Sequence, residues 1–195
     1  TAKSENSALQ NRTVSEVSSE RGLDPLDFMF DLAIEENLET AFLGKFLNVG
    51  DEGVGELLRH EHGVVSLSDA GAHLIYMCDA GYGLHLLSKW VRELGVFSLQ
   101  EGVRRLTSHP ADLYGIKGRG RLTPGSHADV VMFDPATISV GEPQRISDLP
   151  GGGPRTIRKP TGIHGVWING KQVHDGNDYV EYGKGPGHVL RNFEA

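Results

Sequence analysis

The spacing of apolar positions changes repeatedly along this chain, and each change predicts a different element. Over residues 25–36, Phe28, Met29, Leu32 and Ala33 recur at intervals of three and four with Glu36 on the same face, which predicts an amphipathic helix. Asp24 precedes it as an N-cap, and Pro25 suits the first helical position, where no N–H is needed. In 40–49 the apolar residues Phe42, Leu43, Phe46 and Leu47 bunch together instead, and the segment reads as a strand with ragged ends. A helix over 52–59 follows, Gly63 breaks it, and Val64, Val65 and Leu67 form a short apolar run, a strand over 64–68. Helix, strand, helix, strand in that order is the pattern of βα units on a parallel sheet.

Beyond a glycine-rich loop over 70–83 the helical period returns. Leu86, Leu87, Trp90, Val91 and Leu94 share one face of a helix over 84–94 and read as core. Ser98 and Glu101 have capping-box spacing and open a helix to Leu106, while Ser108 and Pro110 start a shorter one that ends at Gly115. From Gly118 the texture changes: GRGRLTPGSHADVVMFD reads as a strand, a turn at Pro124 and Gly125, and a second strand over 129–133. Residues 163–168 and 172–174 flank Asn169 and Gly170, the pair favoured in the type I′ turn of a two-residue hairpin. Segment 134–160, rich in proline and with glycines at 151–153, reads as irregular surface chain. Three domains are expected: a polar irregular lead over 1–21, in which 13–20 is a solvated helix or a loop, a βα part over 22–117, and a β-rich part over 118–195.

Composition narrows the partners. With 19 basic against 26 acidic residues the net charge is -7, and no Lys/Arg block offers itself to phosphate or anionic lipid, so nucleic acid and membrane are not expected partners. Cys78 stands alone and cannot form an internal disulfide, and no apolar run approaches the roughly 18 residues of a membrane span. A soluble protein of a reducing cytoplasm is expected.

The candidate chemistry centres on VVSLSDAGAH. Its apolar run ends in Ser68, Asp69, Ala70 and Gly71, which puts Asp69 at the carboxyl end of a strand, where α/β folds display catalytic side chains. Asp69 is then either a catalytic carboxylate or the cap of the following turn. His60 and His62 spell a His-x-His pair, but they stand where a helix ends, a place the helix dipole already favours for histidine, and they read as surface residues. His73, Cys78, Asp79 and His85 match no compact zinc spacing, His109 reads as surface or cap, and Asp129 reads as a hydrogen-bonding partner of turn backbone.

Three pieces stand in order: SLSDAGAH after an apolar run, LTSHPADLYGI at a helix start, and GRGRLTPGSHADVVMFDP followed by VWINGKQV. Together they resemble the carboxyl-terminal part of the metal-dependent amidohydrolases, most closely the N-acyl-D-amino-acid deacylase branch (D-aminoacylases), over residues 22–191 including PLDFMFDL and GHVLR. The resemblance implies an α/β fold: the last βα units of a (β/α)8 barrel plus the carboxyl-terminal part of a small β-sandwich. It implies a zinc cofactor and a small-molecule N-acyl amino acid substrate. Asp69 matches the aspartate that ends the eighth strand, serves as general base toward a metal-activated water and often touches the metal, so the resemblance makes Asp69 both catalytic and metal-contacting. His73 matches a histidine often seen after it, which with Gly71 implies substrate contact.

The departures matter as much. A barrel needs eight strands, and two are foreseen before the β-rich part; the family's strand-one His-x-His pair, its bridging ligand and its two later histidines have no counterpart. The chain therefore reads as a fragment of a larger amide hydrolase, expected to be inactive alone and to associate with a missing amino-terminal portion or with itself. Two other readings stay open: a non-catalytic, self-associating structural or binding module, and a dihydroorotase- or hydantoinase-like relative.

Overall fold

In the computed structural model, which describes residues 1–44, 47–75 and 77–191, chain contacts divide the protein into Thr1–Val49 and Gly50–Ala195. The lead segment is structured rather than irregular. A 3-10 helix spans Ser4–Leu9, and α1 (Val14–Arg21) opens on a complete capping box: the Thr13 hydroxyl accepts from Glu16 N–H at 3.2 Å and the Glu16 carboxylate accepts from Thr13 N–H at 3.0 Å. Gly22 ends α1 in the left-handed conformation. Helix α2 (Pro25–Glu35) forms as predicted, with the Asp24 carboxylate accepting from Leu26 N–H at 2.8 Å. Val17, Phe28 and Leu32 pack together with Leu9 and Val14, so the expected boundary at 21/22 falls between two helices that share a core.

The strand expected over 40–49 is not there among the described residues, and Phe46 lies outside them. Leu43 and Leu47 stand 81% and 84% exposed. An apolar strand persists only where neighbouring strands take its backbone groups and cover both faces, and no described strand does so.

In the second unit, α3 (Asp51–Arg59) is followed by α4 (Tyr82–His85), which runs on as a π-helical stretch Leu86–Glu93, and then by α5 (Leu99–Leu106) and α6 (Ser108–Leu113). Leu86, Trp90 and Phe97 form the core, joined by Val54, Leu58, Val65, Val91, Val96 and Leu106. The capping box foreseen at Ser98 is half made. Ser98 accepts from Glu101 N–H at 3.2 Å, but the Glu101 carboxylate turns to Arg104 and Arg105 instead. Arg105, 5% exposed, explains why: its guanidinium also donates to the carbonyls of Arg59, His60 and Gly63, at and just beyond the end of α3. One side chain thereby fixes where the chain enters 64–68.

Every strand pair in the described residues is antiparallel and lies from residue 130 onward, which corrects the parallel sheet expected from the βα order. Residues 64–68 form no ladder; Val65 packs on the core, while Leu67 is 82% exposed. The barrel part is thus present as helices, and no closed barrel is formed by the described residues. A parallel strand borrows its stability from neighbours on both sides, and these neighbours are not among the described elements.

The β-rich part contains β1 (Val130–Phe133), β4 (Ile163–Ile168) and β5 (Lys171–His174), ordered β1-β4-β5. Asn169 and Gly170, both at positive φ, turn β4 into β5 as predicted. The expected strand before Pro124 is absent. Conversely, the supposedly irregular 134–160 contains a hairpin, β2 (Pro143–Leu149) with β3 (Gly153–Arg158), turning at glycines 151 and 152 in the left-handed region. Its strands are polar and proline-flanked, so no apolar alternation announced them; Arg155 and Asp148 join them through two short hydrogen bonds of 2.6 and 2.7 Å.

Candidate active site

Val65, anchored in the core, leads to a tight turn. The Ser68 hydroxyl accepts from Ala70 N–H at 3.1 Å, and the Asp69 carbonyl accepts from Ala72 N–H at 3.0 Å. The turn is therefore capped by Ser68 and closed by the Asp69 backbone, which leaves the Asp69 carboxylate to solvent. Asp69 and His73 both adopt positive φ, 55° and 52°, flanking Gly71 at 100°. For His73 this conformation is unusual and is held by the turn, whose His73 carbonyl accepts from Met77 N–H at 3.1 Å. Asp69, Gly71 and His73 all stand exposed on one short loop.

The loop is held from a distant part of the chain. Thr156 of β3, 8% exposed, donates its N–H to the Leu74 carbonyl at 2.7 Å and its hydroxyl to the Ile75 carbonyl at 3.3 Å. Nothing local in the sequence signals this contact.

No three His, Cys, Asp or Glu side chains converge among the described residues in a way that would hold a metal. A zinc site takes three or four protein ligands, so these residues do not make one by themselves, and Asp69 offers one ligand at most. His60 and His62 lie past the end of α3 with their rings 5.4 Å apart; His60 Nδ1 accepts from His62 N–H, and the His62 side chain is 80% exposed. His73, Cys78, Asp79 and His85 do not assemble either. Burial, aided by the nearby charges of Lys89 and Arg158, pushes the His85 imidazole down, although part of that residue stays exposed. His109 Nδ1 is buried without a hydrogen-bond partner among the described residues.

Asp129 does bond turn backbone: its carboxylate accepts from Asn169 N–H at 2.9 Å and from Arg119. Burial alone would raise its pKa, but these two hydrogen bonds lower it. A cavity of about 650 Å³ lies among Leu87, Leu106, Val131, Phe133 and Ile163. It is lined by neither Asp69 nor His73, and so is separate from the candidate site.

The amidohydrolase family model matches residues 4–174, most of the chain. The chain belongs to the amidohydrolase family. Among curated relatives of this amidohydrolase, the N-acyl-D-aspartate deacylase of Alcaligenes xylosoxydans xylosoxydans is 30% identical over 178 residues, covering 85% of this chain and 30% of the relative. The D-aminoacylase of the same organism is 29% identical over 197 residues, 96% of this chain and 35% of the relative. The chain thus spans about a third of the length of the curated relatives it matches. A D-aminoacylase mutant solved in complex with copper chloride superposes with a TM-score of 0.53 at 24% identity, covering 95% of this chain and 35% of that one; this likeness shows the fold alone.

Proposed function

We propose that this chain forms the carboxyl-terminal portion of a hydrolase that cleaves the C–N bond of N-acyl-D-amino acids, with Asp69 as general base. The observation that carries the reading is the turn itself: Ser68 makes the capping bond that an aspartate in a merely structural role would make, and Asp69 stands exposed on an anchored segment with no hydrogen bond to its carboxylate among the described residues. The deacylase relatives support the reaction class.

In this reading Asp69 takes a proton from water as the water oxygen bonds to the acyl carbon. It then returns the proton to the amide nitrogen as the C–N bond breaks, giving a carboxylic acid and a free amine. A zinc ion at Asp69 needs further ligands from outside the described residues, and the proton transfers above are assigned to Asp69 alone.

The test is amine release from N-acetyl-D-amino acids, with zinc added, by the 195-residue chain and by the same chain joined to any coding sequence in frame upstream. No turnover is expected from the 195 residues alone. In the longer form, Asp69→Asn is expected to lower kcat by about a hundredfold or more. Equal turnover by the short chain would overturn the reading of an incomplete site, and turnover indifferent to Asp69→Asn would remove its role as base.

A second reading, a self-associating module without catalysis, is favoured by Leu26, Phe30 and Ile34. These residues form an exposed apolar stripe on α2, opposite the buried Phe28 and Leu32.

A further inference from the structure

Residues 69–75 have little of their own to hold their shape. Asp69 and His73 both lie in the left-handed region that residues other than glycine disfavour, and no residue of 69–75 is buried. The bonds within the loop, from Ala72 N–H to the Asp69 carbonyl and from Met77 N–H to the His73 carbonyl, join groups close in sequence on an exposed turn. Among the described residues, the hydrogen bonds that reach 69–75 from a distant part of the chain are the two from Thr156, its N–H to Leu74 and its hydroxyl to Ile75. Thr156 is the buried residue of β3, and its branched Cβ restricts where the hydroxyl can point. Taking two successive carbonyls, it fixes the loop in direction as well as distance. The hairpin that carries it rises from a firm base. Ser139 and Thr161 exchange both backbone hydrogen bonds there, at 3.2 and 3.1 Å, beside Ile138, which is 1% exposed. A Cβ at Gly141 would overlap the Lys159 carbonyl, so the two sides of the base approach as only glycine permits.

We infer that Thr156 is a positioning residue of the candidate site: through Leu74 and Ile75 it keeps His73 in its left-handed conformation, and with it the course of the turn that presents Asp69. The segment runs between two fixed points, Val65 on the core and Leu74 on Thr156. Rotation of His73 out of the left-handed region swings the chain between them, and the bonds from Thr156 oppose that rotation. The inference rests on the deacylase reading for what the loop does, and on the geometry alone for how the loop is held.

The experiment is amide hydrogen exchange, followed by NMR on the 195-residue chain at Ala72 and Met77, with the amides of the β4–β5 hairpin as control. Thr156→Val keeps the shape of the side chain and removes its hydroxyl. It is expected to speed exchange at Ala72 and Met77 about fivefold, the equivalent of one hydrogen bond, and to leave the β4–β5 amides unchanged. Thr156→Ser is expected to restore the slower rates. Circular dichroism checks that each variant folds, and Thr156→Ala, which also lacks the hydroxyl, keeps the inference falsifiable if Thr156→Val does not fold. Unchanged exchange at Ala72 and Met77 would overturn the inference, as would an acceleration shared by β4–β5, which marks a general loosening. In the longer form of the chain, Thr156→Val is expected to lower kcat about tenfold with a smaller change in KM, as for a displaced base, and Thr156→Ser to recover it. A kcat indifferent to Thr156→Val, where Asp69→Asn abolishes turnover, removes the positioning role. Exchange needs no turnover, so the two proposals fail separately: turnover that does not depend on Asp69 removes the deacylase reading, and the hold of Thr156 on the loop is then decided by exchange.

Discussion

Glu36 shows how a residue legible as one thing becomes another in three dimensions. Its spacing put it on the inner face of α2, and it is 1% exposed; what the spacing did not show is the shell of donors around its carboxylate. Ala2 N–H, Lys3 N–H, Asn6 Nδ2 and Thr40 Oγ1 all donate to it, at 2.9, 3.3, 3.1 and 2.5 Å. Burial alone would raise its pKa, but the hydrogen bonds from Thr40, Ala2, Asn6 and Lys3 outweigh that and hold the carboxyl at about 2. Because the folded value lies below the ordinary 4.5, the stabilisation is complete above pH 4.5 and is lost as pH falls toward 2. Glu36→Gln is therefore expected to lower the melting temperature at pH 7 and to have a diminishing effect as the pH is lowered through that window. A constant difference across the window would disprove the assignment. Asp69 is placed differently: it stands exposed at a tight turn, and the proposed chemistry requires its carboxylate to reach water.

Helices α2, α3, α5 and α6 emerged close to where caps and periodicity placed them, because an N-cap or an apolar interval of three or four acts within a single turn of chain. Glu101 marks where this locality ends. Its box with Ser98 was displaced by Arg104 and Arg105, which hold its carboxyl at about 2, and Arg105 is itself recruited by the end of α3. Arg105→Ala removes the donor to the Arg59 and Gly63 carbonyls and leaves part of the Glu101 charge unpaired. Breaking a fully buried pair costs about 3–5 kcal/mol; since Glu101 is 32% exposed and partly screened, about 2 kcal/mol is expected here. Urea unfolding monitored at Trp90 should show a lower midpoint with an unchanged slope. Arg105→Lys should not rescue it, because one ammonium cannot span three carbonyls and a carboxylate. Gly162 offers a second test. It sits at φ 74°, and a Cβ would come within 2.5 Å of Ile138 N, so Gly162→Ala should destabilise the β1–β4 sheet more than Arg105→Ala does.

The uncovered apolar residues, Leu43, Leu47 and Leu67 together with the α2 stripe, bear on the association expected of the molecule. Static light scattering is expected to report a mass at least twice that of one chain, and the pair Phe30→Asp with Ile34→Asp to reduce it. A monomeric wild-type protein would count against both association and the second functional reading.

The sequence by itself determined helices α2, α3, α5 and α6, the Asn169–Gly170 hairpin and the family, since each depends on residues a few positions apart or on ordered motifs. Only the tertiary structure decided that 64–68 carries no ladder, that 134–160 holds a hairpin, and that Thr156 grips the loop beyond Asp69. The physical reason is that strand pairing and docking are set by which backbone groups meet in space. Ile75 and Thr156, 81 residues apart, meet through bonds that neither segment specifies alone.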